Sequence, residues 1–218
     1  MAKDFSVVVL LSGRGSNFES LASHAQCYEI TKVISNKVDA LGLKRAAELG
    51  IPTASFSQKD AGSVTAQKDA IYSAALSENP DLIVLAGYMQ ILEPEFVREN
   101  FGKIINIHPS LLPKYPGLDT HQRAIDSGDS THGCSVHFVD VEVDTGPIIA
   151  QAPCTIEPGD TPDSLSQKLL TYEHKLYPWC VNQIATGEIT LGEERKVHYT
   201  AASRQSANEN GFLLVDSL

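Results

Sequence analysis

The sequence predicts an α/β fold: a single open, mainly parallel, twisted sheet flanked by helices, with antiparallel strands in the C-terminal part. Three observations predict it. Strand-like apolar runs alternate with helical stretches over the first two-thirds of the chain, the pattern of βαβ units. The runs at 5–11 and 81–87 are apolar at successive positions, as strands buried on both faces are. Past residue 108 the alternation stops, and two strand runs, 132–139 and 147–156, follow each other without a helix between them.

Each element has its own signal. The first strand, 5–11, reads Phe-Ser-Val-Val-Val-Leu-Leu and runs into a Gly-rich turn and an amphipathic stretch at 17–25. A short strand is expected at 32–36. Asp39 opens a helix with Leu43, Ala46, Ala47 and Leu49 at helical spacing, closed by Gly50 and Pro52. A strand at 53–56, a helix at 64–77, the strand at 81–87, a short helix at 94–100 and a strand at 103–108 complete the alternation. Pro109, Pro113, Pro116 and Gly117 make an irregular loop before a helix at 119–127. Thr161 followed by Pro162 is a helix start, capped by the hydroxyl and pre-set by the ring. That helix is expected to run to about residue 185, with a kink near Pro178. The last thirty residues read as short surface strands, from runs such as 197–199 and 212–215.

Composition bounds the function. The chain has 218 residues, 42% hydrophobic and 20% charged, enough for a single globular domain over 1–218. Its net charge of −10 disfavours nucleic acid as a partner, because that needs a basic face. No apolar run approaches a membrane span and no signal-peptide core follows Met1, so neither membrane nor secretion is expected and the cytoplasm is. Cys27, Cys134, Cys154 and Cys180 are far apart in sequence, and are expected as free thiols rather than disulfides or a metal set.

Two places carry chemistry. The turn Ser12-Gly13-Arg14-Gly15-Ser16-Asn17 joins the first strand to a helix, so free backbone N–H groups and the positive end of the helix dipole face one spot. This suits a phosphate. It is not a dinucleotide fingerprint, since Phe18 stands where a third glycine is needed, and no Gly-Lys-Ser/Thr makes it a Walker loop. On the 103–108 strand, Ile105 and Ile107 share one face and Asn106 and His108 the other, near its C-terminal end. Polar side chains there are costly unless paired, and the C-terminal edge of an open α/β sheet is where ligands bind. An amide beside an imidazole can steady a developing oxyanion and handle a proton. The best candidate by local chemistry for a carboxylate to orient the imidazole is Asp144, in a loop whose path Gly146 and Pro147 fix, although spacing alone does not choose among Asp140, Glu142 and Asp144. His24, His121, His132, His137, His174 and His198 show no local constellation and are read as surface or structural.

The segment Asn106-Ile-His-Pro-Ser-Leu-Leu-Pro-Lys-Tyr-Pro-Gly117 resembles the signature of the folate-dependent formyltransferases. With Ser12–Asn17, Ser35-Asn36-Lys37, Leu85-Ala-Gly-Tyr-Met89, His132-Gly-Cys-Ser-Val-His137 and Asp144-Thr-Gly-Pro-Ile148, the resemblance is to the branch that formylates a glycinamide carried on ribose 5-phosphate. It implies a Rossmann-like formyltransferase fold, with a phosphate-binding half at about 1–108, a folate and catalytic half at about 109–187, and short strands at 188–218. It implies 10-formyltetrahydrofolate as co-substrate, no metal, small-molecule substrates, and a monomer or homodimer. Asn106, His108 and Asp144 fall on the catalytic triad, with Asp144 raising the His108 pKa. Gly15, Ser16 and Asn17 fall on the phosphate turn, and Glu173 on a contact to the acceptor. Met89, Gln90, Ile91 and Leu92 fall on one folate segment, and Asp140, Val141, Glu142, Val143 and Asp144 on another, with Asn106 shared. The Leu112–Pro113 bond is expected to be cis. Departures from the family pattern are Val64 and Gln90, where arginine is frequent, and Leu170, where a polar residue is. A related transferase with another acceptor, a hydrolase of the formyl folate, and a non-catalytic binder are the competing readings.

Overall fold

The computed structural model describes residues 5–215. The principal sheet has seven strands in the order β3-β2-β1-β4-β5-β6-β7. These are β1 (Phe5–Leu11), β2 (Tyr28–Ser35), β3 (Thr53–Ser55), β4 (Leu82–Leu85), β5 (Ile104–His108), β6 (Thr131–Phe138) and β7 (Ile148–Thr155). Pairings β1–β2, β1–β4 and β2–β3 are parallel and β6–β7 is antiparallel, as the sequence predicts. The backbone divides into two compact units, one up to Ile105 and one from Asn106 onward.

In the first unit, β1 is apolar from Val7 to Leu11 because both of its faces are covered: these five residues are all at 0% exposure. Around it stand α1 (Ser16–Ser23), α2 (Leu41–Glu48), α3 (Gln58–Ala61), α4 (Val64–Leu76) and α5 (Pro94–Glu99). Phe18 and Leu21 of α1 and Ile71 of α4 fill the core. Arg45 of α2 pairs with Glu19 of α1, and Tyr72 of α4 stacks on Phe96 of α5 at 3.9 Å between centroids. The second strand starts at Tyr28, four residues before its expected start. Its first residues alternate, Tyr28 and Ile30 buried and Glu29 exposed, and Tyr28 is anchored by its hydroxyl donating to the Leu21 carbonyl at 2.7 Å.

In the second unit, α6 (Thr120–Asp126) follows the Pro-rich loop, and α7 (Pro162–Ala185) packs on β6 and β7. The start of α7 is a capping box between Thr161 and Ser164, with Pro162 in the first turn. The helix continues through Pro178. Leu165, Leu169, Leu176, Tyr177 and Val181 form its buried stripe. The final thirty residues correct the expectation of strands alone. A hairpin of β8 (Ile189–Leu191) and β9 (Val197–Tyr199) is followed by a helix, α8 (Ala201–Asn210). Of the 212–215 run, Leu213 makes a single bridge to Gln151 on β7.

None of the four cysteines is in a disulfide; three are buried and Cys27 is exposed. Among the described residues no helix is long and apolar enough to cross a membrane, and no group of three His, Cys, Asp or Glu could hold a metal.

Candidate functional site

The structure brings Asn106, His108 and Asp144 together. Asn106 and His108 lie on one face of β5, as alternation predicts. Asp144 sits in the turn after β6 with φ 57°, a left-handed conformation that turns its carboxylate back toward the Pro-rich loop. Its Oδ2 lies 3.2 Å from His108 Nδ1 and accepts the Gly117 N–H at 2.8 Å. The structure thereby separates three carboxylates that spacing left equivalent. Asp140 instead pairs with Arg195 and accepts from the Val141 N–H. The loop folds this tightly because Gly146 has no side chain: a Cβ there would stand 1.8 Å from the Phe138 carbonyl oxygen.

The other His108 ring nitrogen, Nε2, is 2.9 Å from the Tyr115 carbonyl. Both nitrogens thus face acceptors, and only the imidazolium satisfies both contacts. Burial works the other way. Desolvation lowers the His108 pKa, and the opposing pull of the Tyr115 carbonyl and the Asp144 charge does not restore it. Asp144 does raise the His108 pKa by opposite charge, as expected, but burial outweighs it and the net shift is downward. Burial pushes the Asp144 carboxyl up, but His137, the Gly117 N–H and the His108 charge together outweigh it and hold the group below its ordinary range.

His137, read as surface or structural, is buried and bonded beside this cluster. Its Nδ1 lies 2.9 Å from the Phe138 carbonyl and its Nε2 lies 3.3 Å from Asn106 Nδ2. Asp144 Oδ1 is 3.6 Å from the same Nε2. The signal was the alternation of β6, which puts Ser135 and His137 on one face. Ser135 anchors the loop: its hydroxyl donates to the Ser110 carbonyl at 2.6 Å and accepts the Leu112 N–H at 3.0 Å. The Leu112–Pro113 bond in that loop is cis, as expected. Beside it, His121 and His132 are in contact, Nδ1 to Nε2, at 3.1 Å, and burial pulls the His132 pKa down to about 4.

The remaining predicted residues fall in several places. Glu173 is buried on α7 beside Cys134, whose thiol burial holds well above its ordinary pKa, with the Glu173 charge adding to the rise. The loop from Asp140 to Asp144 borders a cavity of about 870 Å³, whose other wall includes Arg195, Lys196 and Val197. In the first unit, Gly15 precedes α1 with φ 79° and, having no side chain, makes no capping bond to the helix. Gly15 is also in close approach to α2, where Gly42 donates its N–H to the Gly13 carbonyl at 3.1 Å. Ser16 is half-buried and Asn17 buried at the start of α1. Met89 and Ile91 are 65% and 67% exposed, Leu92 is buried, and Gln90 turns its side chain inward to Gln67 and Tyr88.

Comparison with known proteins gives this geometry a family. The Formyl transferase family model matches residues 5–181. The chain is 42% identical over 192 residues to a phosphoribosylglycinamide formyltransferase of Escherichia coli (strain K12), covering 86% of this chain and 91% of that protein. It is 42% identical over 194 residues to the trifunctional purine biosynthetic protein adenosine-3 of Chironomus tentans, covering 86% of this chain and 14% of that longer protein. A solved phosphoribosylglycinamide formyltransferase from Coxiella burnetii superposes with a TM-score of 0.84 at 40% identity, over 90% of this chain and 94% of that one. A family match across most of the chain, on a fold that gathers Asn106, His108 and Asp144, means that this chain belongs to the formyl transferase family.

Proposed function

We propose that the chain transfers the formyl group of 10-formyltetrahydrofolate to the amine of 5-phosphoribosylglycinamide, giving formylglycinamide ribonucleotide and tetrahydrofolate in purine biosynthesis. The observation that supports this most is the buried contact of His108 with Asp144 at 3.2 Å, on the same strand face as Asn106. The similarity to proteins of that name gives the acceptor and the pathway.

The donor supplies an activated formyl carbon. The acceptor amine forms the new N–C bond as the bond from carbon to the folate nitrogen breaks, and one proton passes from the amine to that nitrogen. Atoms balance with no redox step and no metal. Asn106 Nδ2 donates to the formyl oxygen as negative charge develops there. His108, neutral at rest, takes up the proton that the amine loses, satisfies both of its acceptors while adding positive charge beside the oxyanion, and releases that proton toward the folate nitrogen. Asp144 holds the imidazole in place, stabilises its charged form and relays the amine proton through water. Gly15, Ser16 and Asn17 take the acceptor phosphate at the N-terminal end of α1, and Glu173 contacts the glycinamide. Met89 to Leu92 and Asp140 to Asp144 bind the folate. Asn106 touches the donor as well as stabilising the charge. We place the enzyme in the cytoplasm as a monomer or homodimer, acting on small molecules, with neither nucleic acid nor membrane as partner.

The test is initial-rate formyl transfer followed by folate absorbance, with a no-acceptor control and a His108→Ala variant. Acceptor-dependent turnover that collapses in the variant is expected. Turnover without acceptor would instead mean hydrolysis, and donor binding without turnover would mean another acceptor.

A further inference from the structure

We propose that Gln67 is a positioning residue for the formyl-donor segment 89–92, acting through Gln90. The inference rests on the donor-binding assignment made above and deepens it. Residues 86–93 have no regular secondary structure, so side-chain bonds must set their path. The central one is Gln67 of α4, only 2% exposed. Its Nε2 donates to the carbonyls of Asn36 at 2.9 Å and Phe56 at 2.6 Å. Its Oε1 accepts from Gln90 Nε2 at 3.0 Å. Gln90 Oε1 in turn accepts from the Tyr88 hydroxyl at 3.0 Å. Both Gln67 donor hydrogens and its acceptor are used.

The bonds close into a ring. Met89 donates its N–H to Ser12 Oγ at 2.9 Å, and Ser12 Oγ donates to Asn36 Oδ1 at 2.6 Å. Asn36 returns to Gln67 through its carbonyl. The ring thus runs from the donor segment to the residue that opens the phosphate turn and back. The helix α4 adds a second hold further along, where Glu93 donates its N–H to the Tyr72 hydroxyl at 2.9 Å and pairs with Lys68 at 2.5 Å. A fully buried amide in a helix face is costly unless it is bonded, and an aliphatic side chain would fill the space at no such cost. What the amide adds is direction: it draws the Gln90 side chain inward. Met89 and Ile91, on either side, then face outward as a fixed apolar ledge, 65% and 67% exposed. An apolar ledge held in advance suits the flat ring system of the donor, because its ordering cost is met before binding.

Gln67→Met keeps the volume and removes all three bonds. The experiment measures KM for donor and for acceptor, kcat and Tm in Gln67→Met, Gln90→Met and the double variant. The donor KM should rise by about fivefold or more in each single variant, with kcat and acceptor KM moving less than about twofold. In the Gln90→Met background, Gln67→Met should add less than about twofold, since the link is already cut. An unchanged donor KM, a fall in kcat alone, or two fully additive effects would overturn the proposal. If Gln67→Met fails to fold, Gln90→Met alone reads the same link, and an unchanged donor KM there overturns it. Tetrahydrofolate binding to the unaltered protein is measured alongside. Its absence would sink the donor assignment and this inference together, whereas normal binding with unmoved variants would sink only the role of Gln67.

Discussion

Asn106 and Asp144 do different work at one site, and their substitution should separate the roles. Asn106 offers an amide N–H, held by His137 at 3.3 Å, to a charge that exists only while the bond forms. Removing one such donor costs about 3 kcal/mol of transition-state stabilisation, roughly 10²–10³ in turnover. Asn106→Ala should therefore lower kcat by that factor with acceptor KM within about threefold. Asp144→Ala should lower kcat at least as steeply, because it leaves the imidazolium without its counter-charge and frees Gly117. Steady-state kinetics at saturating substrates checks both, and near-normal kcat in either variant removes that residue from the chemistry. The two polar residues of β5 were legible in the sequence because they break the aliphatic habit of a buried strand. Spacing alone did not separate Asp144 from Asp140 and Glu142, since that choice depends on a left-handed backbone and on Arg195, fifty-five residues from Asp140. His137 escaped because its partner Asn106 lies thirty-one residues away, on another strand.

At the scale of elements, the phosphate turn depends on how closely α2 approaches it. Gly42 opens the second half of that approach: a Cβ on it would stand 2.6 Å from a Leu11 methyl and 3.1 Å from Gly15 Cα. Leu11 is fully buried and cannot step aside freely. Gly42→Ala should therefore push α2 away from the turn and raise the acceptor KM by about tenfold, with donor KM little changed. Gly15→Ala should be worse, because its Cβ would lie 2.5 Å from Gly42 Cα at a backbone φ of 79°. Steady-state KM values for both substrates decide this, and an acceptor KM that does not move in Gly42→Ala would show that the turn does not hold the phosphate. Elements whose signal is apolar were read well from sequence, β1 and β4 above all. The helix α8 was not, because its buried face consists of Ser203 and Ala207, residues that carry no apolar period. Its readable marks were the ends: Thr200 caps it by accepting the Ser203 N–H, and Gly211 closes it in a left-handed conformation.

For the whole molecule, the buried histidines set how stability responds to acid. His108, His121 and His132 all have pKa values lowered by burial, His132 to about 4. A histidine whose folded pKa lies below its unfolded value of 6.5 binds a proton more readily in the unfolded chain. Stability then rises with pH across the gap, is complete above about 6.5, and is lost as pH falls toward the folded pKa. Asp144 and Asp160, with lowered carboxyl pKa values, act in the same direction but only below the ordinary carboxylate range, Asp160 down to about 2. The two classes are therefore separable by pH. Between pH 7.5 and 5.0 the loss belongs to the histidines, and Tm should fall by roughly 4 °C or more. His132→Gln should flatten that slope even if it lowers Tm at pH 7.5, because it removes the group with the widest gap. Thermal unfolding at both pH values in both proteins checks this. Equal slopes would mean that His132 titrates alike in the folded and unfolded chain, and that the His121–His132 contact at 3.1 Å does not keep its ring neutral.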